Sequence, residues 1–293
     1  MNPVNKKLNI TVLGATGKVG SELLNSLSAQ SIPNIAVTRD LKKAKNLPFS
    51  TWQEGELDNI EVIKRALEGA DALFLNTGVQ QNLVDLQCRI IDEARQFGIT
   101  HIIKLSTPAA RQNSPDPVGE WHWQVEQYLA ASGLRWHALQ PQSFMQNWLG
   151  DFARTVKSEK AIYETAGEGR RAFTDTRDIA EVAFALFADP GKWKDPIVPL
   201  SGAALVSYYQ VAEAIGNAIG TEVRYIDQTQ EEATARYRKN GMPEFLIKTF
   251  LAIAHNQKIG VGEKLLTDNV SRILGKPGRT IDDFAKDYSS FFI

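Results

Sequence analysis

A doubly wound, parallel α/β sheet with a smaller, mostly helical C-terminal lobe is the fold class the sequence predicts. Three observations carry it. Short apolar runs alternate with helix-like stretches through the first half. A glycine-rich turn joins the first run to the first helix. After about Pro141 the alternation loosens into mainly helical patterning. Alternation of this kind implies parallel strands with helices on both faces. Such a sheet holds its ligand in the crevice at the carboxyl ends of its strands.

The elements follow in chain order. Apolar runs at 8–13, 35–38, 72–76, 101–105 and 135–140 are too short for a stable helix and suit strands buried on both faces. Between them, 18–29 follows the glycine turn as a helix. Asp58-Asn-Ile-Glu61 has the Asp-x-x-Glu form of a capping box and leads into Val62, Ile63, Ala66 and Leu67. The stretch 82–97 ends at Gly98, and 119–132 ends at Gly133, as helix C-termini do. Further on, Asp178-Ile-Ala-Glu181 and Ser207-Tyr-Tyr-Gln210 have the form of helix starts, with a short strand at 196–200 between them. Residues 222–226 alternate as a half-exposed strand, and Thr229-Gln-Glu-Glu232 is another capping box. Pro243 opens an apolar helix through Phe245, Leu246, Phe250 and Ile253. Thr280-Ile-Asp-Asp283 starts a final helix ending in Phe291 and Phe292. The expected domains are 1–155, with return segments near 172–200, and a substrate-binding lobe at 156–293.

Composition narrows the function. Apolar residues make up 43% and charged residues 23% of the 293, which is ordinary globular usage. With 33 basic and 34 acidic residues the net charge is −1, so no field favours nucleic acid. The single cysteine, Cys88, excludes an internal disulfide and a cysteine-based zinc cluster, and the four histidines lack metal-binding spacing, so no metal is expected. No apolar run approaches the roughly 18 residues that cross a bilayer, and the longest, 179–188, is interrupted by Glu181. The polar opening residues do not have the form of a leader. A cytoplasmic protein with a small-molecule partner is expected, with no nucleic acid and no membrane; its oligomeric state stays open.

Gly14-Ala-Thr-Gly17-Lys-Val-Gly20 follows the first strand and opens the first helix. Three glycines at this spacing are weak alone and strong in this context. Gly14 permits the tight turn, Gly17 lets backbone approach a pyrophosphate, and Gly20 lets helix pack on strand. The bare helix N-terminus offers N–H donors and a positive dipole end. The fold is therefore of Rossmann type. No Walker phosphate loop is present.

The second strand selects the dinucleotide. It ends Val37-Thr38-Arg39-Asp40, with Lys42, Lys43 and Lys45 following. An acid here binds the ribose 2′-hydroxyl of NAD, whereas an arginine accommodates the 2′-phosphate of NADP. Arg39 offers a planar fork suited to phosphate, with Lys43 as a further candidate. Asp40 is instead expected to cap a helix running through Ala44 and Leu47. NADP(H) is preferred over NAD(H) on that argument, with Asp40 as the ribose acid the open alternative.

Gly-Ala-Thr-Gly-Lys-Val-Gly, Val-Thr-Arg-Asp and Ile102-Ile-Lys-Leu-Ser-Thr107 resemble the NmrA-like family, atypical members of the extended short-chain dehydrogenase/reductases. Trp121-His122 with Glu126, Ser132-Gly-Leu134, Gln140-Pro141, Phe144-Met-Gln-Asn147, Thr176-Arg-Asp-Ile-Ala-Glu-Val-Ala183 and Leu274-Gly-Lys-Pro277 with 280–288 agree, so the resemblance covers nearly the whole chain. The family includes triphenylmethane and quinone reductases and also NADP-binding regulators. The resemblance implies that Thr16, Gly17, Lys18 and Val19 bind pyrophosphate and that Thr38 and Arg39 bind the adenosine phosphate. It implies that Glu56, where the family usually has Asp, and Leu57 flank the adenine. Asn76, Thr77 and Gly78 border the nicotinamide ribose, Ser106 and Thr107 lie beside the reacting ring, and Pro141, Gln142, Ser143 and Phe144 line its other side. The crevice rule selects the strand-end groups independently.

Standard enzymes of the wider superfamily carry Tyr-x-x-x-Lys on one helix face, with the tyrosine passing the proton that accompanies hydride. None of the tyrosines at 128, 163, 208, 209, 225, 237 and 288 has lysine four residues on. Counting back from Glu126 puts Val118 at the tyrosine position and His122 at the lysine position. Valine has no proton to give. His122 is the candidate catalytic group and a candidate ribose contact, or a packed helix histidine between Trp121 and Trp123. A conjugated acceptor needs less help from a protein acid, because it delocalises charge until water protonates it. The expected function is an NADP(H)-dependent reductase of a small, apolar, quinone-like or dye-like acceptor. The alternative is an NADP(H)-binding redox sensor acting through a protein partner. A sugar-nucleotide epimerase is disfavoured by Val118. Trp121, Trp123, Trp136 and Trp148, with Phe152, Tyr163, Phe245 and Phe250 behind them, are core residues first and a planar-substrate wall second. His101 and His137 are expected to be structural, and His255 to suit a helix C-terminus.

Overall fold

The computed structural model describes residues 8–293; residues 1–7, where the expected absence of a leader partly rests, lie outside the described residues. The chain forms β1 (Ile10–Val12), α1 (Lys18–Ala29), β2 (Asn34–Thr38), β3 (Ser50–Glu54), α2 (Ile60–Leu67), β4 (Ala72–Leu75), α3 (Leu83–Gln96), β5 (His101–Leu105), α4 (Pro117–Ala131) and β6 (Arg135–Pro141). It continues with α5 (Asp151–Glu159), β7 (Ala161–Glu164), α6 (Thr176–Ala188), β8 (Ile197–Leu200), α7 (Tyr208–Ile219), β9 (Arg224–Asp227), α8 (Gln230–Lys239), α9 (Glu244–Lys258), α10 (Asn269–Leu274) and α11 (Ile281–Asp287).

Seven strands form a Rossmann-like parallel sheet in the order β3-β2-β1-β4-β5-β6-β8. Thr11 of β1 faces Ile35 on one side and Leu73 on the other. The chain runs outward from β1 to β3 and then crosses back to β4, so the reversal of strand order falls between β1 and β4. That is where an open α/β sheet leaves a crevice. β1 and β4 are buried at every position, which is why they carry uninterrupted apolar runs. α1 buries Val19, Leu23, Leu24 and Leu27, an apolar stripe at helical spacing.

The chain divides into two compact units. Among the described residues the first comprises 8–113, 119–140 and 179–198, and its core gathers Leu13, Val37, Leu73, Ile90, Ile102 and Val125, among others. The second comprises 114–118, 141–178 and 199–293, and its core is aromatic-rich. There Trp148 packs edge-on against Phe173 at 4.9 Å between ring centres. Trp148 and Phe152 belong to this core, while Trp121 and Trp136 pack on the first. A separate two-stranded parallel sheet, β7-β9, belongs to the second unit.

Capping boxes form at Ser207, Thr229 and Thr280 as expected. Four local expectations need correction. Asp58 does not cap α2; Asn59 does, its side-chain oxygen accepting from Glu61 N at 3.1 Å. Asp40 caps only a 3-10 turn, Leu41–Lys43, and no helix reaches Leu47, because the following Pro48 disfavours helical backbone there. α6 starts at Thr176, ahead of Asp178; Asp175 takes the Arg177 amide at 2.8 Å, and the Asp178 carboxylate holds the Arg279 amide at 2.7 Å. β3 and β7 are strands the apolar pattern misses. β3 is the sheet edge, and no position along Ser50–Glu54 is fully buried.

Candidate functional site

A crevice of about 420 Å³ opens in the first unit where β1, β2, β3 and β4 end. Gly14, Thr16, Gly17, Thr38, Arg39, Glu56, Leu57, Asn76, Thr77 and Gly78, all candidates from sequence, line it. Sequence reasoning missed Val37, Gly55, Asp58, Val79, Gln80 and Asn82 on the same wall. The glycine turn is built by close approach. Gly14 has φ +69°, and a Cβ on it would stand 2.5 Å from the Asn76 carbonyl oxygen. A Cβ on Gly20 would collide with the Gly14 carbonyl oxygen. Gly14 can therefore sit against Asn76, and Gly20 against the turn, only without a side chain. α1 follows Gly17, which as its N-cap has no side chain to spend on the helix amides, so no side chain of the cap competes with an anion for the amides of Val19 and Gly20. Val19 contributes backbone alone, since its side chain is in the core.

The β2 exit has two neighbours with separate tasks. Arg39 is exposed on the crevice wall. Asp40 is not on that wall; its Oδ1 accepts from Lys42 N at 2.9 Å. Thr38 is buried, and its hydroxyl bonds the Asp40 carbonyl at 3.1 Å, fixing the turn. Lys43 stands exposed in the 3-10 turn, outside the crevice lining. At the β4 exit, Thr77 Oγ1 accepts from Gln87 Nε2 at 2.9 Å. Gln87, on α3 and buried, escaped the sequence reasoning because it contacts a residue on another element.

Ser106, just after β5, and His122, on α4, lie in a polar cluster of the first unit outside the crevice lining. Lys104 Nζ stands 2.5 Å from His122 Nδ1, and the Ser106 hydroxyl donates to the Glu126 carboxylate. Gln140 Nε2 donates to the same carboxylate at 3.0 Å. Burial lowers Lys104 to a pKa of about 7 against the attraction of Glu126. Burial, and then the Lys104 charge, hold His122 well below the ordinary histidine range. Burial raises Glu126, opposed by its bonds from Ser106 and Gln140. His122 is thus a neutral imidazole at neutral pH. Lys104 is the residue sequence reasoning left without a role. Its signal was available: a lysine inside an apolar strand buried on both faces demands a partner.

Pro141 ends β6, and the three residues after it are tied down within the second unit. Arg171, only 6% exposed, donates to Gln142 Oε1 at 3.2 Å and Ser143 Oγ at 3.3 Å. Phe144 bridges to Thr174. The histidines expected to be structural form a buried pair: His101 Nε2 lies 2.8 Å from His137 Nδ1, and His137 Nε2 lies 3.0 Å from the Trp193 carbonyl. His255 sits in the last turn of α9. No His, Cys, Asp and Glu grouping suited to a metal occurs among the described residues, and no described helix is long and apolar enough to cross a membrane.

Comparison with known proteins agrees with this architecture. The NAD(P)H azoreductase of Xenophilus azovorans is 32% identical over 288 residues, covering 97% of this chain and 99% of that protein. The triphenylmethane reductase of Citrobacter sp., solved with NADP(H), superposes with a TM-score of 0.81 at 20% identity, covering 95% of this chain and 99% of that one. NmrA, a negative transcriptional regulator solved with NADP, superposes with a TM-score of 0.77 at 19% identity, covering 98% and 96%. The model of the NmrA-like family matches residues 6–274, and to that family this chain belongs.

Proposed function

We propose that the protein is an NADP(H)-dependent oxidoreductase that delivers hydride to a small, apolar, conjugated acceptor of the quinone or dye kind. The observation that carries it is the uncapped N-terminus of α1 facing a crevice whose glycine turn leaves no room for a Cβ. These residues fit a dinucleotide. The backbone of Thr16, Gly17, Lys18 and Val19 cradles the diphosphate, Gly17 by close approach, because its own N–H donates to the Gly14 carbonyl at 2.9 Å; Thr38 and Arg39, with Lys43 nearby, hold the adenosine phosphate. Glu56 and Leu57 flank the adenine, and Asn76, Thr77 and Gly78 border the second ribose. Ser106, Thr107 and His122 belong to the reacting end, and the family resemblance adds Pro141, Gln142, Ser143 and Phe144. The coenzyme supplies the hydride when bound, and the chain orients it. Asp40, occupied by the Lys42 amide, is not aimed at a ribose hydroxyl, which supports NADP(H) over NAD(H). The likeness to an azoreductase supports an extended conjugated acceptor, as does the side chain of Val118, which has no proton to give. The lone cysteine and near-neutral charge suit a cytoplasmic enzyme with no nucleic-acid partner.

The test is titration of the protein with NADPH and NADH by fluorescence, followed by a panel of quinones and azo and triphenylmethane dyes read by loss of reduced-nicotinamide absorbance. Tighter NADPH binding with turnover of a panel member is expected; preference for NADH removes the Arg39 argument. A second reading, an NADP(H)-binding sensor, is favoured by the absent Tyr-x-x-x-Lys and by the full-length likeness to NmrA. Tight NADPH binding with silence across the panel selects it.

A further inference from the structure

Lys104 stands inside β5 with no exposed surface, and an ammonium in such a place is costly unless it is bonded. Its Nζ meets the Leu105 carbonyl oxygen at 3.3 Å and His122 Nδ1 at 2.5 Å. Glu126 acts on it only at a distance, because that carboxylate is bonded by Ser106 and Gln140. A carbonyl accepts a hydrogen bond but has no proton to pass on. An imidazole takes a proton at one nitrogen and releases one at the other. A proton leaving Nζ along a hydrogen bond therefore leaves through His122. The ring's other nitrogen, Nε2, has no hydrogen-bond partner among the described residues, and it is not among their fully buried unpartnered atoms.

We propose that Lys104 and His122 form a proton relay in which the Lys104 ammonium donates to His122 Nδ1 while His122 Nε2–H protonates the reduced acceptor. The relay rests on the reductase reading above. The acceptor gains hydride from the coenzyme and one proton from Nε2. Nδ1 gains the proton that Nζ loses, leaving a neutral amine beside the Nδ1–H form of the ring. One proton from water, taken at Nε2 and handed back to Nζ, restores the pair. Lys104 acts through His122, and burial, by lowering its pKa, makes its ammonium readier to give up the proton than an exposed lysine. This arrangement fills the place left by the missing tyrosine with two residues on different elements.

The first readout needs no coenzyme. In protein labelled with 15N-histidine, the His122 ring at neutral pH is expected as the neutral form protonated at Nε2, and Lys104→Met is expected to lose that preference. In turnover, Lys104→Met should keep wild-type NADPH affinity and acceptor KM while kcat falls about 100-fold, the scale of one positioned proton donor. Should Lys104→Met fail to fold, His122→Gln takes its place. It keeps an amide donor near the Nε2 position but passes no proton, so kcat falls. An Nδ1–H ring in the wild type, or wild-type kcat in a folded Lys104→Met or His122→Gln protein, overturns the relay and leaves the reductase reading standing. Absence of NADPH binding, or binding without turnover of any acceptor, removes both.

Discussion

Three helix starts of the second unit and one of the first are finished in opposite ways. In the second unit α7, α8 and α11 each begin with a reciprocal capping box, built on Ser207 with Gln210, Thr229 with Glu232 and Thr280 with Asp283. In the first unit α1 follows Gly17, with neither a side-chain cap nor an acid in its first turn. A capped end has used its spare donors on its own chain, whereas a bare end keeps them. α3, α5, α9 and α10 also start without a side-chain cap, but the α1 end directly follows a glycine turn that lines an open crevice and cannot take a Cβ at Gly14. The lesson is that stability and binding compete for the same amides. α7, α8 and α11 have resolved that competition toward stability.

Three measurements sharpen or break this contrast. The largest effect belongs to Arg39→Ala. Losing a charge-assisted bond of about 1.5–3 kcal/mol should weaken NADPH binding about 10- to 100-fold while sparing NADH. Equal losses for both coenzymes would make Arg39 a structural residue. An intermediate effect comes from the closed polar pair of the same unit. Burial lowers His101 from 6.5 to about 3, helped by His137. Between those values the unfolded chain binds a proton that the native pair refuses, so this contribution to stability is complete above pH 6.5 and is lost as pH falls toward 3. Thermal melting across that range should show a shallower acid-side slope in His101→Gln than in the wild type, and equal slopes would mean the pair does not resist protonation. The smallest effect is Thr280→Ala, expected to cost about 1 kcal/mol of stability in denaturant melts. It should leave NADPH affinity untouched; a change in affinity would mean that the capped ends are not purely supportive.

What the sequence reveals of this molecule follows the range of each interaction. Gly14, Gly17, Arg39 and Asn76 are legible because a tight turn and a strand end are local events with local residue requirements. Thr280 and Asp283 are legible for the same reason. Lys104 with His122, Gln87 with Thr77, and Arg171 with Gln142 join different elements, and no fixed spacing announces such partners. β3 hides because an edge strand has no fully apolar run to display. The expected helix beyond Asp40 fails because a cap and three lysines outweighed Pro48 in the pattern, whereas the backbone obeys the proline.

Gly17→Asp is the substitution that turns the bare helix end into a capped one. Gly17 already has extended backbone, φ −79° and ψ 172°, and a Cβ there would be 3.1 Å from the Gly14 carbonyl oxygen, tight but not impossible. Calorimetric titration of NADPH into the wild type and into this variant, each checked for a cooperative melt, is the decisive comparison. The expected result is a single NADPH site in the wild type and none in a folded Gly17→Asp protein, whose carboxylate holds the amides that the diphosphate needs. NADPH bound equally by both, or by neither, would contradict the assignment of the α1 N-terminus as the anion site.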